Sequence, residues 1–345
     1  MRLLVITQKV DKDDPILGFF HTWILKLSEK FESLIVICLQ EGKHTLPENV
    51  KVFSLGKENN ELRIKNYELW IRIKYVFQFF NLCFFQSLEY DAVFVHMNQE
   101  YVLLGGLFWK LMGKKVYLWR NHPMGNILTR IAILLSDKVF ATSKDAYTAK
   151  FEKTKIMPAG IDTSLFRQIS NFQFPISKNK ILFFGRISPI KRPHLLIEAL
   201  KILKEKGIQF GVSIYGDALQ KDKPYFESLE KIPEVMFYNS VPNWQAPEIY
   251  RQHVIYVNLT PSGSFDKTIL EAALSGCIPI IANKSLSFDN ELVVEDNPED
   301  IAKKLEFWLT ASEEKRKEKS EMLQNFVLKN HSLDALIERL TEEIL

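Results

Sequence analysis

A chain of 345 residues that is 46% hydrophobic and 25% charged has the proportions of a folded globular protein, which excludes a disordered, fibrous or low-complexity class. Its length exceeds one ordinary domain and suits two lobes of roughly 150 to 170 residues, each with its own core. The formal net charge of +3 is divided unevenly, with 22 Lys and Arg against 17 Asp and Glu in residues 1–165 and 23 against 25 in the remainder, so no nucleic-acid polymer is expected as a partner.

A mildly basic first lobe is compatible with an anionic membrane surface or an anionic acceptor, though an ordinary solvated surface accounts for it more simply. Cys38, Cys83 and Cys277 stand far apart, without the spacing of a zinc site or a disulfide framework, and are expected to be buried thiols in a reducing cytoplasm. The apolar run Met1 to Thr7 is too short for a secretory leader and is followed by Lys9, Asp11 and Lys12, which points to a cytoplasmic chain. The aromatic run Tyr75 to Leu88 falls short of the roughly 20 residues that span a bilayer and contains Gln78, Asn81 and Gln86, so no transmembrane helix is expected.

Short apolar runs rich in β-branched residues alternate with amphipathic segments, the pattern of parallel sheets covered on both faces by helices. The fold class is therefore α/β, with two doubly wound units. In the first, strands are predicted at 2–6, 34–39, 51–54, 91–95, 115–119 and 138–141, and helices at 17–30, 62–87, 100–112 and 124–135. The segment Met157 to Asp162 and the polar stretch up to Lys180 read as a lobe boundary. Domains are thus expected at 1–165 and 166–325, with 326–345 a terminal helix packing back on the first lobe.

The second series has strands at 180–184, 210–215, 235–238, 254–258 and 278–282, alternating with helices at 192–206, 222–231, 243–251 and 266–275. Helices at 298–309, 312–329 and 332–344 finish the chain. Ligands of open parallel sheets bind beyond the carboxyl ends of the strands, so a cleft between the two lobes is the expected active site.

In chain order, Asp11-Lys12-Asp13-Asp14 carries an Asp-x-Asp spelling but follows a single strand, and is predicted to be a solvated turn. Asp14-Pro15-Ile16-Leu17-Gly18 then opens a helix. Within 62–87, Arg63, Lys65, Arg72 and Lys74 accompany Tyr67, Trp70, Phe77, Phe79, Phe80, Phe84 and Phe85. That combination suits a helix lying on anionic lipid, and also a helix packed on the first sheet with a few exposed cations. His122, in Trp119-Arg120-Asn121-His122-Pro123, follows a strand and is the first lobe's main candidate; His96, after the preceding strand, is its rival.

In the second lobe a strand ends at Gly185, and Arg186 and Lys191 follow five positions apart at a helix start, where they could converge on a pair of phosphates. In isolation such a pair would read as surface cations. Tyr215-Gly216-Asp217 ends the next strand, and Gly216 would let a nucleotide approach the backbone. Tyr238 to Pro242, containing Val241, lies beyond the strand after that. In Pro261-Ser262-Gly263-Ser264-Phe265-Asp266-Lys267-Thr268-Ile269-Leu270-Glu271 a polar loop runs into a helix whose first turn would offer backbone N–H groups to an anion. Glu271 would accept from ribose hydroxyls, or simply stabilise a helix N-terminus.

The run Phe183 to Leu200, together with Pro261 to Ile280, resembles glycosyltransferase family 4, the group 1 type. The resemblance extends over nearly the whole chain, with its specific motifs in 180–282. It implies a GT-B fold of two Rossmann-like lobes facing a central cleft. It also implies a retaining transferase that moves a sugar from a nucleotide-sugar donor to a glycan or lipid-linked acceptor in polysaccharide biosynthesis, with no cofactor and no metal.

By the same resemblance Arg186 and Lys191 hold the donor diphosphate, Gly18 faces it from the first lobe, Gly216 and Val241 meet the nucleotide, and His122 lies near the donor sugar. The family's motif sets two acidic residues eight positions apart; Glu271 matches the second, whereas Gly263 stands at the first. The carboxylate that usually holds the donor sugar is therefore missing, and the backbone of Ser264, Phe265 and Asp266, or the side chain of Asp266 or Lys267, is expected to replace it. As the diphosphate departs, negative charge grows on its oxygen, so Arg186, Lys191 and the helix terminus at Thr268 would stabilise the transition state above the ground state. The donor phosphate would take the acceptor proton while His122 positions the sugar. Two alternatives stay open on the same architecture: a nucleotide-sugar 2-epimerase, and a non-catalytic nucleotide-sugar-binding partner subunit, which Gly263 motivates.

Overall fold

The computed structural model describes residues 1–59, 68–167, 180–229, 231–263, 265–286 and 289–345. They form two units, one of Met1–Pro158 with Asp334–Leu345 and one of Ala159–Leu333. The expected positions Arg63, Lys65, Tyr67 and Ser264 lie outside the described residues.

The first unit runs β1 (Arg2–Val10), α1 (Phe19–Ser28), β2 (Ser33–Glu41), β3 (Val50–Ser54), α2 (Glu68–Phe85), β4 (Ala92–His96), α3 (Gln99–Leu111), β5 (Lys115–Trp119), α4 (Ile127–Leu135), β6 (Lys138–Ala141) and β7 (Thr154–Ile156). All strands are parallel, in the order β3-β2-β1-β4-β5-β6-β7. Leu3, Leu4, Val5 and Ile6 of central β1 are fully buried, because helices cover both faces; this is why the strand reads as an unbroken apolar run rather than an alternation.

The second unit continues with α5 (Thr163–Phe166), β8 (Lys180–Phe184), α6 (Pro193–Glu205), β9 (Gly211–Tyr215), α7 (Lys223–Ser228), β10 (Val235–Tyr238), α8 (Ala246–Arg251), β11 (Ile255–Asn258), α9 (Lys267–Leu274), β12 (Ile278–Ile281), α10 (Pro298–Thr310) and α11 (Glu313–His331). Its five strands are also parallel, in the order β10-β9-β8-β11-β12, and register pairs such as Val257 with Phe183 set β11 beside β8. The last helix, α12 (Leu333–Ile344), lies almost wholly in the first unit. There the Tyr117 hydroxyl donates to the Ile344 carbonyl at 3.1 Å, Lys138 pairs with Glu343 at 2.9 Å, and Arg339 donates to the Ile156 carbonyl at 3.0 Å.

The fold class expected from the sequence is the one observed. Two elements were not anticipated, β7 and α5, of three and four residues. Neither is long enough to show a period; β7 exists because Lys155 pairs with Phe140, and α5 because the Asp162 carboxylate caps the Ser164 and Leu165 N–H groups at 3.0 and 3.2 Å. All three cysteines are buried and unpaired. Among the described residues no helix is long and apolar enough to cross a membrane.

Candidate functional site

Winding of the second sheet reverses between β8 and β11, which are neighbours in space though far apart in sequence. Loops leaving the carboxyl ends of two such strands diverge and leave a crevice between them. Both motif segments of this unit lie on those loops.

After β8 the chain turns at Gly185, whose φ is +149°. Its N–H donates to the Tyr215 carbonyl at 2.9 Å, the Ile187 N–H to Asp217 at 3.0 Å, and the Gly216 N–H to Tyr238 at 3.0 Å, so the loops after β8, β9 and β10 are pinned side by side. A Cβ on Gly216, at φ +153°, would stand 1.9 Å from the Gly185 carbonyl oxygen. The neighbouring loop alone therefore requires this glycine. The Tyr215 and Tyr238 rings stack at 4.5 Å beyond it, and Val241 packs half-buried against the core.

Arg186 is exposed at the start of the β8 loop. Residues 189–191 form a single tight turn, and Arg192, in the left-handed conformation at φ 54°, precedes α6. Lys191 thus sits before the helix and turns its ammonium onto the carboxylate of Asp266, the cap of α9. Side-chain exposures of 20% and 13% show the pair largely withdrawn from water, so Lys191 is not a solvated cation.

Asp266 also accepts from Asn258 Nδ2 at 2.8 Å, from Thr268 Oγ1 at 2.7 Å and from the Thr268 N–H at 3.4 Å. Burial works against its ionisation, but the Lys191 ammonium and these hydrogen bonds outweigh it and lower the carboxyl to about 2. Tyr256 completes the network, its hydroxyl 2.6 Å from Thr268 Oγ1 and 2.9 Å from Asn258 Nδ2. The expected open first turn of α9 is corrected at this point: the Thr268 N–H faces Asp266.

Gly263 has φ +100°, and its N–H donates to Ser285 Oγ at 3.4 Å. Phe265 is half-buried against the core with its ring 6.5 Å from His331, and Lys267 Nζ reaches the Gly160 carbonyl at 3.4 Å. Glu271, one turn into α9, is only 5% exposed. It accepts from Asn243 Nδ2 at 3.5 Å and from the Tyr250 hydroxyl at 3.4 Å, both long contacts that leave acceptor capacity. Burial holds its carboxyl above the usual range.

In the first unit Gly18 caps α1, and a Cβ there would meet the Asp14 carbonyl oxygen at 2.5 Å. The Asp11 to Asp14 turn is ion-paired rather than solvated: Lys9 Nζ lies 3.2 Å from Asp11 and 2.7 Å from Asp14. His122 is exposed, with Nδ1 3.1 Å from the Met124 N–H, whereas His96 is buried, stacked on Phe20 at 3.7 Å and bonded to Thr7 at 3.1 Å. Contact thus joins Lys191, Asp266 and Thr268; Arg186 and Gly216 share the adjoining loops, and Glu271 lies a turn deeper. Asn258 and Tyr256 escaped sequence reasoning, although an asparagine closing the apolar run Ile255-Tyr256-Val257 was a signal that could have found one of them.

Residues 166–325 match the family model described as Glycosyl transferases group 1. A D-inositol 3-phosphate glycosyltransferase from an Arthrobacter species is 28% identical over 152 residues, a match covering 40% of this chain and only 35% of that relative's length. Among solved structures, Alr3699/HepE of Anabaena in complex with UDP and glucose superposes with a TM-score of 0.72 at 17% identity, covering 100% of this chain and 99% of that one. A glycosyltransferase from Rickettsia africae does so with a TM-score of 0.76 at 16% identity, covering 99% and 98%. At such identities the likeness is one of fold. The chain has the GT-B fold of two Rossmann-like parallel-sheet units, and its second unit contains the region similar to glycosyl transferases group 1.

Proposed function

We propose that the protein is a retaining glycosyltransferase that moves a sugar from a nucleoside-diphosphate donor to a glycan or lipid-linked acceptor without a metal ion. The observation that carries this reading is the position of Arg186 and Lys191 on the loop at the carboxyl end of β8, where the strand order reverses, within the group 1 region. Two cations there suit the charge that grows on a departing diphosphate, and a guanidinium can hold two phosphate oxygens at once. Glu271 supplies acceptor capacity for ribose hydroxyls. UDP, found with the Anabaena protein, is the first nucleotide to test.

The experiment is transfer from UDP-, GDP- and ADP-sugars in EDTA, with the anomeric configuration of the product read by NMR. Turnover in EDTA with retained configuration is expected. Loss of turnover that Mn²⁺ restores, or inversion, would contradict the proposal.

An anionic membrane surface belongs to the same reading. On α2, α3 and α4, which pack in a row, Trp70, Phe77, Phe84, Leu111, Ile127 and Leu134 are all more than 60% exposed, and exposed Arg72, Lys74, Lys110 and Arg130 lie on the same helices. Exposed apolar side chains and cations on the same three helices suit a surface of acyl chains and anionic headgroups.

A further inference from the structure

We infer that Asp266 is an internal anion occupying the seat of the donor's diphosphate, and that it sets how tightly the nucleoside diphosphate is held. The inference rests on the function proposed above. Of the groups that would bind the diphosphate, the Lys191 ammonium is engaged by this carboxylate, and the Thr268 N–H at the start of α9 faces it at 3.4 Å. A carboxylate facing a cation across a helix N-terminus makes the contacts a phosphate oxygen would make there.

The carboxylate is not easily displaced. Asn258 and the Thr268 hydroxyl hold it at 2.8 and 2.7 Å, and each is fixed in turn by Tyr256. With its carboxyl lowered to about 2, it stays charged throughout the neutral range. Lys191 has three N–H donors and can be shared with a phosphate oxygen, but that oxygen must then lie beside a charge of its own sign. Like charges in close contact repel appreciably even at an effective dielectric of about 20.

The consequence is a weaker hold on nucleoside diphosphate, which favours its departure after transfer, a step that often limits turnover. Removing the charge should therefore tighten binding by about tenfold or more, lower the donor KM, and lower kcat as release slows.

The test is calorimetric titration of the whole chain with UDP, GDP, ADP and inorganic pyrophosphate in EDTA. Asp266→Asn and Asp266→Ser both remove the charge and keep a side chain that caps helices well, so that one serves if the other folds poorly. Lys191→Ala/Asp266→Asn removes the cation without leaving a buried carboxylate alone. Both single variants should bind a nucleoside diphosphate, and pyrophosphate, about tenfold tighter than wild type, and the double variant should lose that gain. Unchanged or weaker binding by the folded single variants overturns the inference. If wild type binds a nucleoside diphosphate in an Arg186-dependent way while the Asp266 variants bind no tighter, this inference alone falls. If none of the proteins binds any of the nucleotides, the proposed function falls with it.

Discussion

Lys191 and Asp266 carry most of what can be measured one side chain at a time. Removing the lysine leaves a carboxylate of 13% exposure without its cation, a change that costs about 3 kcal/mol where a pair is buried. Lys191→Ala should therefore lower stability in urea by that order, and Asp266→Asn in the same chain should recover much of it; equal stability of Lys191→Ala and wild type would contradict the ion pair. The acid limb gives the same pair a second readout. A carboxyl lowered from 3.8 to about 2 contributes stability above its unfolded value and loses it as pH falls through the folded one. Roughly 2 kcal/mol should thus disappear between about pH 4 and 2, and Asp266→Asn should flatten that slope. Gly263 belongs to the same scale: at φ +100° a side chain costs about 1–3 kcal/mol, so the backbone here suits glycine and not the glutamate of the family motif.

At the scale of elements, the long periodic segments were legible and the contacts at their ends were not. Strands such as β8 and helices such as α6 and α9 follow directly from apolar runs and 3.6-residue periodicity, as do Gly185 and Gly216 as strand terminators. The sequence could not show that Asp266 turns back onto Lys191, because the pairing joins residues 75 positions apart through the adjacency of β8 and β11. Glu271 was placed on its helix correctly, but its burial beneath Asn243 and Tyr250 depends on α8, which no local pattern reveals. The exposed apolar residues of the first unit were legible only on α2; the exposure of Leu111, Ile127 and Leu134 depends on how α3 and α4 pack. Flotation with anionic liposomes tests that surface. Binding at low salt should weaken with added salt and on replacing Arg72, Lys74 and Arg130, whereas no binding, or binding that ignores both changes, would contradict a lipid partner.

For the whole molecule, the proposed function requires the second unit to bind a nucleoside-diphosphate sugar through the loop after β8. Arg186 tests it most cleanly, because its side chain is exposed and its loss should leave the fold intact, unlike that of Lys191. The decisive measurement is calorimetric titration of wild type and Arg186→Ala with UDP-, GDP- and ADP-sugars in EDTA, alongside thermal unfolding to establish equal stability. Saturable binding of one donor by wild type, weakened about tenfold or more in the variant, is the predicted result. Binding of none of the three donors, or binding that Arg186→Ala leaves unchanged, would contradict it.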